Sequence, residues 1–269
     1  MEKKLPVALQ LFSVSDDMKN DFEGTLKKVK EMGYEGVEFA GLYGRDPKCV
    51  KAFCEEIGLV PVSIHLDLGM LLKHFDDTIK EAVELGVKYV VAPFLPEKYR
   101  PGAEEGHLLI DGLKEIGKKV EALGMKFGYH NHNFEFETKV GDTCLFEYLL
   151  DNVGLEHFNL EIDFGWLGIA QQDHLAYIKK LAGSLGIVHL KDYYFPEIKP
   201  VEERDPNEID FFDFRPMGYG ELDIPMLLNA LNDAGTEWII IEQDDKSYKY
   251  PEWSKLDCVK KSIEYYKSL

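Results

Sequence analysis

The chain has 269 residues, with 31 Lys or Arg against 49 Asp or Glu, so its formal net charge is −18. Hydrophobic residues make up 45% of the chain, enough to form a large core, which excludes global disorder; the length fits one large domain or two small ones. The negative charge disfavours nucleic acids and anionic membrane surfaces as partners, but leaves a small anionic substrate open.

The N-terminal segment and the cysteines indicate where the protein works. The apolar run at 5–12 is short, and Asp16 and Asp17 follow it without the small-residue cleavage site of a signal peptide. No stretch approaches the roughly 20 apolar residues of a transmembrane helix. The four cysteines have neither zinc-ribbon nor disulfide-framework spacing. We therefore expect a cytoplasmic protein that does not bind membranes.

An amphipathic helix, a glycine and a short apolar strand recur along the chain. In the first copy Phe22, Leu26 and Val29 are spaced i, i+4, i+7, which is typical of the buried face of a helix. The copies span 22–39, 50–66, 78–94, 113–130, 177–192 and 227–244. Glycines stand where a helix C-cap is expected, at Gly33, Gly58, Gly86, Gly124 and Gly235.

Two further apolar strands, at 7–12 and 158–163, bring the total to eight strands alternating with helices. Each strand is a nearly continuous apolar run, as expected of parallel strands covered on both faces. Eight such units predict an α/β fold, a (β/α)8 TIM barrel formed by a single domain over 1–269. A doubly wound open sheet is the alternative, weakened because no G-x-G-x-x-G follows any strand.

The longest stretch without a predicted helix or strand is 193–222, which follows the seventh strand. It is rich in proline, acidic and aromatic residues. Loops of this length are uncommon unless they are functional or disordered. Its position after a barrel strand favours an active-site loop.

Polar side chains end most of the predicted strands, at the face of a barrel where substrates bind. They are Gln10, Glu38, His65, His130, His132, Glu135, Asp163, His189, Lys191, Asp192 and Glu242. One such Asp could cap a helix, and one such His could be a hydrogen-bonded core residue. So many strands ending in His, Asp or Glu need another explanation, because burying ionisable groups together is costly without a cation.

Mixed imidazole and carboxylate groups suit Mn, Co, Fe or Zn. We therefore expect one divalent metal, in preference to a metal-free acid–base pocket. The segment 128–137 is the richest in candidate site residues. Strand alternation places His130 and His132 on one face, so both can reach the barrel mouth, one as a ligand and the other in support.

Several motifs together resemble the sugar phosphate isomerase/epimerase family, within the xylose-isomerase-like TIM barrel superfamily that also includes inosose dehydratase, tagatose epimerase and endonuclease IV. The motifs are GMKFGYHNHNFEF, LEIDFGW, IVHLKD, GYGELD and IIIEQD. The resemblance covers essentially the whole chain. It is specific for the superfamily and not for one substrate.

The resemblance implies one divalent metal, most often manganese, with Co, Fe, Zn or Mg as alternatives. Its ligands would be His130, Asp163, His189 and Glu242, at the ends of the fifth to eighth strands. Most sugar epimerases of the family carry glutamate where this chain has His130, and they use two glutamates as opposed bases. Glu135 or His132 could supply the second base here, or the chemistry could need only one.

A small sugar is the expected substrate. The expected reaction is isomerisation or epimerisation of a keto sugar through an enediolate, with a dehydratase or 3-keto-glycoside eliminase as the alternative. Glu242 would move the proton, and Lys191 would stabilise negative charge. Substrate contacts are expected from Glu38, His65, His132, Trp166 and Arg215, with Trp166 as an apolar platform and Arg215 meeting an anionic group.

A nuclease resembling endonuclease IV is disfavoured by the negative charge and by the modest number of histidines. A non-catalytic sugar-binding barrel remains open, as does assembly into a homo-oligomer.

Overall fold

The structure is a computed structural model that describes residues 4–195, 213–245 and 247–269. Eight parallel strands form a closed barrel, in which the first strand pairs with both the second and the eighth. The strands, numbered along the barrel, are β1 (Val7–Gln10), β2 (Gly36–Phe39), β3 (Val60–His65), β4 (Tyr89–Ala92), β5 (Lys126–His130), β6 (Asn159–Asp163), β7 (Ile187–Leu190) and β8 (Trp238–Ile241). The predicted (β/α)8 fold is confirmed.

Helices surround the barrel, and most end as the sequence predicts. They are α1 (Ser15–Asn20), α2 (Phe22–Met32), α3 (Pro47–Ile57), α4 (Leu68–Lys73), α5 (Phe75–Leu85), α6 (Leu109–Ala122), α7 (Phe134–Glu137), α8 (Leu145–Val153), α9 (Phe164–Ile169), α10 (His174–Lys180), α11 (Ile224–Ala234) and α12 (Lys255–Ser268). Gly33, Gly58, Gly86 and Gly235 are left-handed C-caps of α2, α3, α5 and α11. Glycine adopts this backbone without the strain that a Cβ would cause.

The interior of the barrel is apolar towards the amino ends of the strands, which we call the lower part, and polar at their carboxyl ends. Alternate residues of a strand point to the same side, so Ile187, His189 and Lys191 follow one another up the interior. A small cluster contributed by the strands fills the lower part: Ala8, Val62, Tyr89, Val91, Ile187 and Ile240. The polar side chains at the carboxyl ends of the strands therefore stand on a packed apolar floor.

Two segments of the predicted active-site loop are more regular than the sequence indicated. Asp192–Tyr194 and Asp213–Arg215 form a two-stranded antiparallel ribbon directly after β7. Part of the predicted loop, 196–212, lies outside the described residues. Among the residues that the structure describes, no helix is long and apolar enough to cross a lipid bilayer.

Candidate active site

A cavity of about 380 Å³ opens at the carboxyl ends of the strands. It is lined by Phe12, Ala40, His65, Pro93, Phe94, His130, His132, Lys191, Glu242 and Asp244. One wall is polar and ionisable, whereas the rim carries two aromatic rings that are nearly half exposed, Phe12 and Phe94. A concave site with a few convergent polar groups is the usual form of a small-molecule binding site.

The four predicted metal ligands converge at the floor of this cavity, where His130 and Glu242 line it. The ligand atoms of His130, Asp163, His189 and Glu242 all lie within 4.8 Å of one another, and all four residues are buried. His189 Nδ1 is 2.9 Å from Glu242 Oε2, and His130 Nε2 is 3.8 Å from Asp163 Oδ2. Four side chains from four strands thus offer two nitrogens and two oxygens.

This group fits a divalent cation. Within the described part of the chain, the buried Asp163 Oδ2 makes no hydrogen bond, and the nearest cationic group to it is the Lys191 ammonium at 3.2 Å. Buried polar atoms normally have partners, and a donor set of two imidazoles and two carboxylates suits Zn, Mn, Co or Fe. The residues present could therefore hold the expected metal.

Lys191 is a buried cation among three carboxylates. Its Nζ lies 2.8 Å from Glu242 Oε2, 3.0 Å from Asp244 Oδ2 and 3.2 Å from Asp163 Oδ2. Burial alone would lower the pKa of Lys191, but these carboxylates raise it above its usual value. Burial likewise would raise the pKa of Glu242, yet Lys191 and His189 hold it well below the ordinary range. Glu242 and Lys191 therefore form a charged pair.

The two histidines of the 128–137 segment reach the mouth together, with ring centroids 5.2 Å apart. His130 ends β5, whereas His132 lies just beyond the strand. Burial lowers the pKa of His132 to about 3, with Lys191 adding to the effect, and burial also lowers the pKa of His130. Both imidazoles are accordingly neutral near pH 7, the form that can ligate a metal or accept a proton.

A second polar layer lies beneath the predicted ligands and includes a residue that the sequence reasoning missed. Glu161 Oε2 is 2.9 Å from His65 Nε2, 3.2 Å from His189 Nε2 and 3.3 Å from His130 Nδ1. Glu161 precedes Asp163 by two positions, so strand alternation could have placed it on the same inward face. The sequence reasoning also missed Asp244. This residue follows Glu242 by two positions, so the same strand alternation could have identified it.

Predicted substrate-binding residues divide into those at the cavity and those away from it. His65 and His132 line it. Trp166 lies beside His132 (ring centroids 5.3 Å apart), and Lys191 Nζ is 5.1 Å from the Trp166 ring. Glu38 is fully buried beneath the cavity. Arg215 does not line the cavity; its Nε donates to Asp213 Oδ2 at 3.0 Å.

Glu135, predicted as a possible second base, lies away from the cavity. It is fully buried, and it accepts hydrogen bonds from the Tyr129 hydroxyl and from the backbone N–H of His132, the latter at 2.8 Å. Both of its oxygens are used in this way. The structure thus gives Glu135 the contacts of a residue that shapes the His130–Glu135 turn.

A closed (β/α)8 barrel with a His, Asp and Glu cluster at the carboxyl ends of its strands has the architecture of a TIM-barrel enzyme. A family model for the xylose isomerase-like TIM barrel matches residues 26–269, and the chain belongs to this family. The resemblance found in the sequence motifs is thereby confirmed.

The sequence identity to individual relatives is low, from 15% to 26% in the three described here. The chain is 26% identical over 247 residues to an inosose dehydratase of Geobacillus thermodenitrificans, which covers 83% of this chain and 82% of that protein. A sugar phosphate isomerase/epimerase from Parabacteroides distasonis superposes with a TM-score of 0.77 at 21% identity and 97% coverage of both chains. The IOLI protein, solved with a bound zinc atom, superposes at 0.71 with 15% identity, covering 97% of this chain and 96% of that one. These two superpositions show a shared fold.

Proposed function

We propose that this protein is a metal-dependent enzyme that removes a proton next to the carbonyl of a keto sugar or keto polyol and then expels a hydroxyl group as water. His130, Asp163, His189 and Glu242 would hold one divalent cation, with Mn first and Co, Fe, Zn or Mg as alternatives. When bound, the cation would polarise the substrate carbonyl and make the neighbouring C–H more acidic.

The observation that carries this proposal is the arrangement of two carboxylates on one wall. Glu242 and Asp244 both line the cavity at the end of β8, and both contact the Lys191 ammonium. Epimerisation by two bases needs a group on each face of the substrate. Elimination needs a base and an acid within reach of adjacent carbons, which two neighbouring carboxylates can provide.

Each residue of this wall has a definite role. Glu242, held ionised by Lys191 and His189, accepts the C–H proton. Lys191 stabilises the negative charge that develops on the substrate oxygen. Asp244 donates a proton to the departing hydroxyl, consistent with burial raising the pKa of this carboxyl to about 6. The inosose dehydratases among the relatives are named for a reaction of this type.

Epimerisation is the second candidate, because His132 lines the cavity from the end of β5 rather than β8. Its neutral imidazole could return the proton to the opposite face of the substrate. Similarity in fold to a sugar phosphate isomerase/epimerase accords with this alternative. In either reaction, Trp166 and the exposed rings of Phe12 and Phe94 offer apolar surface to the C–H face of a sugar.

The experiment is a reaction in deuterated water. Metal-loaded protein is incubated with keto-inositols and keto sugars, and the products are weighed by mass spectrometry. Dehydration predicts products that have lost one water. Products that keep the substrate mass apart from one deuterium would identify an epimerase or isomerase. Full activity after removal of metal by EDTA would contradict the metal-dependent mechanism for both.

Two substitutions on the β8 wall separate the proposed roles. Glu242→Gln should abolish both deuterium exchange and water loss, because it removes the proposed base and one of the four proposed metal ligands. Asp244→Asn should slow water loss while exchange continues, because only the acid is lost. Glu252→Gln, an exposed glutamate near the same end of the barrel, is the control and should leave both rates unchanged.

A further inference from the structure

The polar layer beneath the proposed metal ligands forms an ordered chain of hydrogen bonds. It begins at the backbone N–H of Phe12, which donates to Gln10 Oε1 at 2.9 Å. This bond fixes the orientation of the Gln10 amide, so its NH2 group faces Glu38 and His65. Gln10 Nε2 donates to Glu38 Oε1 at 2.6 Å and lies 3.3 Å from His65 Nδ1. The hydrogen bond from Gln10 therefore fixes the position of the Glu38 carboxylate inside the barrel.

His189 stands between this layer and the proposed metal ligands, with one ring nitrogen facing each. Its Nε2 is 2.8 Å from Glu38 Oε1, whereas its Nδ1 is 2.9 Å from Glu242 Oε2. Both ring nitrogens face a carboxylate, which only accepts hydrogen bonds, so both donate in the metal-free protein. Nδ1 lies on the side of Asp163 and Glu242, so it is the nitrogen that would give up its hydrogen to bind a cation, whereas Glu38 would keep the hydrogen on Nε2.

We infer that Glu38 is a positioning residue that fixes the tautomer and ring orientation of His189 for metal binding. This inference rests on the proposed function, because it assumes a cation among the four ligands. A carboxylate behind a metal-binding histidine orients the ring and makes it a stronger ligand, and its removal costs about 10- to 100-fold in metal affinity. Glu38, expected from the sequence to touch substrate, acts instead from beneath.

The same layer could be taken for a second metal site, since ligand atoms of His65, His130, Glu161 and His189 also lie within 4.8 Å of one another. The hydrogen bonds in this layer argue against a second metal site. The Gln10 amide hydrogen directed at His65 Nδ1 leaves the ring hydrogen of His65 on Nε2, which donates to Glu161 Oε2 at 2.9 Å. Neither that nitrogen nor His189 Nε2 is then free to bind a cation. The protein should accordingly bind one metal ion per chain.

Three variants test the inference, with Zn²⁺ as the probe because it is diamagnetic. Glu38→Ala removes the acceptor, and Glu38→Gln keeps an acceptor oxygen while removing the charge. Ser63→Ala is the matched control, because Ser63 pairs with Glu38 in the β2–β3 register and its buried hydroxyl makes no hydrogen bond within the described residues. Calorimetric titration of metal-free protein measures stoichiometry and affinity. Nitrogen-15 NMR of the Zn²⁺-loaded protein identifies the bound nitrogen of His189.

The expected results are one Zn²⁺ per chain in the wild-type protein, bound through His189 Nδ1 with a hydrogen on Nε2. Affinity should fall about 10- to 100-fold in Glu38→Ala, less in Glu38→Gln, and not at all in Ser63→Ala. Should Glu38→Ala fail to fold, as judged by circular dichroism, the comparison of Glu38→Gln with Ser63→Ala decides.

Equal affinity and the same NMR pattern in the Glu38 variants and the control would overturn the inference and leave the metal site standing. Two Zn²⁺ ions in the wild-type protein, one of them lost on substitution of Glu38, would also overturn it, because the lower layer would then be a metal site. A wild-type protein that binds no Zn²⁺, Mn²⁺ or Co²⁺ would instead contradict the proposed function itself.

Discussion

The positive charge of Lys191 stabilises the candidate site in the metal-free protein. Its ammonium is almost fully buried, and three carboxylates lie within 3.2 Å of it. A buried charge left without its partner typically costs about 3–5 kcal/mol. Lys191 therefore neutralises carboxylates that also belong to the proposed catalytic wall.

Replacing Lys191 should reveal this dependence on charge. We expect Lys191→Met to lower the free energy of unfolding by about 3–5 kcal/mol in metal-free protein, since three carboxylates lose their cation. Added Mn²⁺ should raise the melting temperature of the variant more than that of the wild-type protein, because the metal supplies the missing positive charge. Lys179→Met, at an exposed position, is the control and should change neither value. An equal metal-induced shift in variant and wild type would contradict the argument.

Glu135 should make the stability of the protein depend on pH. Burial raises the pKa of this carboxyl from 4.5 to about 8 in the folded chain. Between these values the folded state keeps a proton that the unfolded state has lost, so stability falls as pH rises, by at most about 1.4 kcal/mol per unit. Below about pH 4.5 the effect is absent, and above about pH 8 it is constant.

The substitution Glu135→Gln isolates this effect. The amide cannot ionise, so urea unfolding at about pH 5 and about pH 8 should show a smaller loss of stability in the variant than in the wild-type protein. The difference between the two proteins matters, because other buried groups titrate in both. An identical loss would show that Glu135 is ionised in the folded state at both pH values.

Asp192 connects two secondary-structure elements, the ribbon after β7 and the segment that leads into α11. Its carboxylate accepts backbone N–H groups from Gly218, Gly220 and Leu222 at 2.9–3.1 Å. Gly218 has a left-handed φ of 86°, and a Cβ on Gly220 would lie 2.2 Å from Asp192 Oδ1. The GYGELD motif therefore wraps closely around one buried side chain.

Loss of that charge should loosen the motif. Asp192→Asn replaces one accepting oxygen by an NH2 group that faces backbone N–H donors, so we expect a loss of about 1–3 kcal/mol in unfolding free energy. Hydrogen exchange at 218–222 should accelerate as well. Asp223→Asn is the matched control, since Asp223 caps α11 and asparagine caps helices equally well. Unchanged exchange in Asp192→Asn would mean that the motif is held by other contacts.

The sequence predicted elements better than their connections. Gly33, Gly58 and Gly86 could be recognised because a helix end that needs a left-handed residue selects glycine locally. The ribbon of 192–194 with 213–215 was missed, because antiparallel pairing between distant segments leaves no periodic signal in either. Closed barrels are easier to predict, since every strand must be apolar on both faces.

The candidate site was partly predictable for a similar reason. Residues at strand ends, such as Asp163 and His189, are found by counting along each strand. The relation of Glu38 to His189 joins strands 151 positions apart in the chain, and a hydrogen bond of that kind is visible only once the barrel closes. Strand position alone therefore could not tell a residue beneath the site from one facing the substrate.

For the molecule as a whole, the charge of −18 takes on a more specific meaning. It disfavours polyanionic partners. The structure places part of it inside the barrel, where Glu38, Glu161, Asp163 and Glu242 are buried together. Lys191 and the rings of His65 and His189 contact these carboxylates, and a divalent cation would add positive charge to the group.

The most direct test of the metal site is anomalous diffraction from crystals soaked in Mn²⁺ or Zn²⁺, collected at energies on both sides of the absorption edge of the metal. We expect one anomalous peak per chain, enclosed by His130, Asp163, His189 and Glu242, and no peak in Asp163→Asn crystals treated in the same way. A peak elsewhere in the barrel, or none at concentrations that saturate related metal enzymes, would contradict this expectation.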